Sequence, residues 1–138
     1  MDHIEFSVAR EIQLPIGEWT VLDIRINGRR LQAMAREVEA RVASSLDGSR
    51  PPGEYMGLDP RDAPTLLGLG RPARTTVLRC TCGDLGCGPL TADVDTTDRR
   101  VTWSSVRSAN PDWDLSSMGP WVFDRDQYEQ ALQQAAAR

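Results

Sequence analysis

Residues 75–105 read TTVLRCTCGDLGCGPLTADVDTTDRRVTWSS, and this stretch decides the fold. The run from Thr75 to Thr81 is rich in β-branched residues and leads into a loop. On the way out, Leu90, Ala92 and Val94 alternate with Thr91, Asp93 and Asp95, and Thr97-Asp98-Arg99 then turns the chain into Val101, Trp103 and Ser105. A period of two sends alternate side chains to opposite faces of a strand, so the stretch predicts a three-stranded antiparallel meander. All three cysteines, Cys80, Cys82 and Cys87, sit at the tip of its first hairpin. Cys80 and Cys82 are two apart and would leave an extended strand on one face, while Gly83 and Gly86 tolerate the positive φ of a tight reversal.

Upstream, Ile4, Phe6 and Val8 alternate with polar neighbours, as in a half-buried strand, and a Pro15-Ile16-Gly17 turn follows. From Trp19 to Ile26, the side chains of Leu22, Ile24 and Ile26 share a core face, with Val21, Asp23 and Arg25 on a mostly wet one. Asn27-Gly28 is the strongest short-range hairpin signal and predicts a brief return through Arg29 and Arg30. The period then changes. Leu31, Met34, Ala35, Val38 and Val42 mark one stripe of a helix over Leu31 to Ala43, with Arg36, Glu37, Glu39 and Arg41 towards water and Asp47-Gly48 as its end. Between Arg50 and Pro72, five prolines and four glycines exclude long regular elements. Residues 50–73 therefore form an ordered loop packed by Tyr55, Met56, Leu58, Leu66 and Leu67, with Asp59-Pro60 able to start a short helix.

Downstream, Asn110 to Pro120 reads as turns and loop, and Trp121-Val122-Phe123 as a short strand. Asp124 and Gln127 form a capping box, Phe123 and Tyr128 a hydrophobic staple, and a terminal helix runs over Gln127 to Ala136. The expected whole is a single α+β domain over residues 1–138, with a mainly antiparallel sheet and two packed helices.

With 138 residues, the chain is long enough to bury a real core. Its composition is 40% hydrophobic and 26% charged, ordinary for a globular protein. A net charge of −4 repels polyphosphates, so nucleic acid is not an expected partner. All sixteen basic residues are arginine, which reflects GC-rich coding more than phosphate reading. The N-terminus lacks the pattern of a secretory signal and no apolar run approaches membrane-spanning length, so the expected compartment is the cytoplasm, without membrane contact. Thiols stay reduced there, and clustered cysteines lean away from a structural disulfide.

The pattern Cys80-x-Cys82-Gly83-x-x-Gly86-Cys87-Gly88, then Val101-x-Trp103, then Phe123-Asp124-x-x-x-Tyr128-x-x-Ala131-Leu132 resembles that of a family of small proteins of GC-rich bacteria with no established activity. The resemblance implies a single domain and carries no catalytic residue over.

The cysteine loop offers three sulfurs where a structural zinc takes four ligands. His3, the only histidine, or Asp84 would have to supply the fourth. The deaminase signature is missing, a Cys–His nucleophile has only His3 to draw on, and thiol exchange between Cys82 and Cys87 lacks the helix N-terminus that activates redox thiols. Asp112 and Asp114 flank Trp113 as paired carboxylates do, but beside Pro111 they read as an Asx turn. No phosphate-cradling loop, nucleophile elbow or metalloprotease helix occurs. We therefore expect a metal-free thiol cluster that shapes its loop, and no cofactor, with zinc at Cys80, Cys82, Cys87 and His3 as the alternative.

Aromatic residues dominate binding hot spots. Trp19 and Trp103 lie in strands and read as core, whereas Trp113 lies in a polar loop. The sequence thus points to a non-catalytic interaction or regulatory module that binds a protein partner through Trp113, Tyr55 and Leu58. The alternative is a thiol- or zinc-dependent enzyme, or a structural zinc protein, centred on the cysteine loop.

Overall fold

In the computed structural model, residues 1–13, 17–45, 55–68, 73–81, 88–109 and 113–136 are described. The meander is present: strand β5 (Ala73–Cys80) pairs with β6 (Leu90–Thr96), which pairs with β7 (Arg100–Arg107), all antiparallel. It is widened at both edges, by β4 (Tyr55–Met56) beside β5 and by β8 (Trp121–Asp124) beside β7, into a five-stranded sheet. Register shifts between Thr76 and Leu78 and between Thr91 and Asp93 mark bulges, which bend a strand and increase its twist.

A second sheet holds β1 (Ile4–Gln13), β2 (Gly17–Ile26) and β3 (Arg29–Arg30) in that order. Asn27 and Gly28 both take positive φ, 54° and 82°, as a two-residue hairpin turn matched to strand twist requires. The expected turn at Pro15-Ile16 and the helix end at Asp47-Gly48 fall outside the described residues.

The sheets are stitched together at two seams. Asp2 bridges to Phe123 in parallel, with its N–H donating to Val122 O at 2.9 Å and its carboxylate accepting from Val122 N–H at 2.8 Å. On the other side, Leu22 N–H donates to Leu58 O at 2.7 Å. Gly57 makes this second approach possible, since a Cβ there would meet Leu22 O at 2.3 Å. One core results, with Phe6, Trp103, Phe123 and Tyr128 in edge and tilted ring contacts at centroid separations of 5.5–6.2 Å.

Helix α1 (Leu31–Ser45) packs on β2 and β3 through Leu31, Ala35 and Val38, with Met34 and Val42 partly buried against the same core. A short 3-10 turn (Pro60–Asp62) and helix α2 (Ala63–Leu67) fall where the Asp59-Pro60 signal put them, and Asp59 accepts from Arg61 N–H at 2.9 Å. Helix α3 (Arg125–Ala136) lies across β1, β7 and β8. Asp124 Oδ2 accepts from Gln127 N–H at 3.0 Å, the first half of the capping box.

Three expectations need correction. The face of β2 that carries Val21 and Asp23 is covered, not wet, because Gly57 and Arg30 close over it. Glu39, assigned to the solvent side of α1, is fully buried where Tyr55 on β4 packs against it. The Gln127 side chain does not return to its own helix start but reaches β1.

Candidate functional site

Of the residues singled out from the sequence, the structure pairs Tyr55 with Cys80. Trp113 is only 8% exposed and Leu58 is fully buried, so neither presents an apolar plate to a partner. The polar residues around Trp113 misled, since turn chemistry at the surface allows an aromatic ring to point inward. Asp114 does form the expected turn, accepting from Ser116 N–H at 2.9 Å, and the Ser116 side chain, followed by that N–H, holds its carboxyl below the usual range. Asp112 lies outside the described residues.

Tyr55 is half-buried and stands opposite Cys80 in the β4–β5 register. Burial, reinforced by a hydrogen bond to Glu39 and by that residue's charge, holds the Tyr55 phenol in its protonated form well above the ordinary range. Cys80 is half-buried; Cys82 and Cys87 lie outside the described residues. His3 is exposed, 3.6 Å from Glu5 at the start of β1, and nothing among the described residues joins it to Cys80. Nor do the described residues contain a group of three or more His, Cys, Asp or Glu able to hold a metal.

Two polar arrangements were not read from the sequence. The first ties the sheets to α1. Arg30 Nε donates to Asp23 at 2.9 Å, its Nη2 donates to Glu11 at 3.1 Å and to Gln32 Oε1 at 2.6 Å, and Gln32 Nε2 donates to Tyr55 O at 3.0 Å. The Asp23 bond raises the Arg30 pKa above its ordinary value. These bonds tie β2, β3 and β4 to α1, although Glu11 Oε2 is buried without a partner among the described residues.

The second is the free side of β1. His3 O accepts from Asn27 N–H, so odd-numbered residues of β1 bond to β2 and even-numbered ones point their backbone groups away. Gln127 meets the first of these. Its Oε1 accepts from Ile4 N–H at 3.2 Å and its Nε2 donates to Ile4 O at 2.6 Å, the pair of bonds a neighbouring strand would make. Beyond Ile4 the outward groups belong to Phe6, Val8, Arg10 and Ile12, and no strand among the described residues pairs with them. A groove of about 300 Å³ runs beside this edge, between His3–Ser7 of β1 and the Gln127, Gln130, Ala131 and Gln134 face of α3. Ile12, at the far end, is 70% exposed.

Comparison with protein-family models, with curated proteins and with solved structures returned no match. No helix among the described residues is long and apolar enough to cross a membrane.

Proposed function

We propose that the protein is a small, non-catalytic interaction module of the cytoplasm that takes up an extended segment of a protein partner as an added strand on β1. The observation that carries this reading is Gln127, whose single amide already makes both bonds of the missing strand to Ile4. A peptide continuing from that point meets outward N–H and C=O groups at Phe6, Val8, Arg10 and Ile12, every second residue along the edge. Its far edge faces Gln130 and Gln134, whose amides both donate and accept. Recognition through main-chain bonds fits a groove whose α3 wall carries the amides of Gln127, Gln130 and Gln134. The binding surface thus moves from Trp113 and Leu58, which are core, to the β1–α3 groove. The cysteine loop in this reading shapes its own hairpin and takes no part in binding.

Selection from a library of random peptides tests it. Selected peptides shift the backbone amide resonances of Phe6, Val8, Arg10 and Ile12 and the side-chain amides of Gln130 and Gln134. Arg10→Pro removes an outward N–H without touching the β1–β2 ladder and abolishes binding in a folded protein. Peptides that bind elsewhere, or equally well to Arg10→Pro, refute the reading.

A further inference from the structure

We propose that Arg79 and Trp19 together bind a small oxyanion, a carboxylate or a phosphate, at the join between β2 and the β4–β5 pair. This inference is independent of the β1 edge. Arg79 is 5% exposed, and its Nε donates to Gly57 O at 2.9 Å. Its guanidinium carbon stands 5.6 Å from the ring centroid of Trp19. Arg79 Nη2 and Trp19 Nε1 are both buried and have no acceptor among the described residues.

Buried Asp23 offers the contrast. Asp23 is held by Arg25 and Arg30, and Arg30 by three acceptors. Arg79 makes no ion pair within 4.0 Å among the described residues. Asp59 feels its charge, but that carboxylate is bound through both oxygens to Arg61. A guanidinium cannot shed its proton to escape burial, and the face of an indole offsets only part of the cost. Two buried N–H donors without an acceptor, one of them on a guanidinium that makes no ion pair among the described residues, are groups that a bound oxyanion would satisfy. The Trp19 residue is half-exposed, so the pair lies near the surface although both donor atoms are buried.

Calorimetric titration of the full chain with inorganic phosphate and with succinate, against chloride at matched ionic strength, tests this. One saturable site and a raised unfolding temperature are expected, and the tighter of the two ligands identifies the source. Trp19→Phe keeps the aromatic plate but removes one donor, and weakens binding about fivefold, the loss of one ordinary hydrogen bond. Arg79→Met abolishes binding; should that variant not fold, Trp19→Phe decides. The absence of saturation, or an affinity unchanged by Trp19→Phe, overturns the proposal.

Discussion

Replacing Gly57 by Ala tests whether the two sheets are truly joined at the Leu22–Leu58 seam. The new Cβ would lie 2.3 Å from Leu22 O and 3.0 Å from the Val21 Cβ. A carbon–oxygen contact relaxes only beyond 3 Å, so β2 and residue 57 must separate, and the first obstacle is backbone that cannot rotate aside. Separation weakens the 2.7 Å bond from Leu22 N–H to Leu58 O and the 2.9 Å bond from Arg79 Nε to Gly57 O. Each bond is worth about 0.5–1.5 kcal/mol and the overpacking costs about 1–3 kcal/mol, giving a loss of roughly 2–6 kcal/mol. That is a large part of the stability of a typical domain. Urea unfolding followed by circular dichroism measures it. Gly28→Ala is the control: its φ is 82° but a Cβ there meets nothing within 4 Å, so only backbone strain of about 1–2 kcal/mol is expected. A Gly57→Ala protein within about 0.5 kcal/mol of the parent, the scatter of a neutral surface change, would refute the seam.

Trp113→Ala should lower stability by about 3–5 kcal/mol, as for other buried aromatic residues, and a variant as stable as the parent would return Trp113 to the surface. Both tyrosines of the chain, Tyr55 and Tyr128, have pKa values raised above the ordinary phenol, chiefly because burial penalises the phenolate. Since the folded values lie above the unfolded value of about 10, this contribution to stability is complete below that pH and drains away as pH rises further. Ultraviolet titration should accordingly show phenolate appearing only with unfolding, whereas ionisation of the folded protein near pH 10 would contradict it. For the cysteines, chelator is expected to leave the unfolding midpoint unchanged and thiol titration to find three reactive groups after unfolding; one tightly retained zinc per chain would reverse that expectation.

Where local chemistry dominates, the fold was legible. The Asn27-Gly28 turn, the Asp59 and Asp124 caps, the stripe from Leu31 to Val42 and the period of two in β6 each act over a few residues and appear where expected. What depends on distant partners was not. Glu39 carries a surface residue's signature and becomes buried because Tyr55, from the proline-rich segment, packs over it. Gln127 satisfied a helix-start pattern, yet Ile4, at the other end of the chain, claims its side chain. Trp113 is buried although the residues beside it carry turn chemistry, and no local pattern encodes that. The alternation of β1 was visible, but an open edge is a property of sheet order, and that order depends on how β8 meets Asp2.

Amide hydrogen exchange along β1 tests the central claim most directly. The account predicts alternation: slow exchange at Glu5, Ser7, Ala9 and Glu11, which bond to β2, and fast exchange at Val8, Arg10 and Ile12, which point outward. Adding a selected peptide should then slow the outward set alone. Equal protection of both sets in the unliganded protein, independent of its concentration, would mean that the edge is already occupied and would contradict the account.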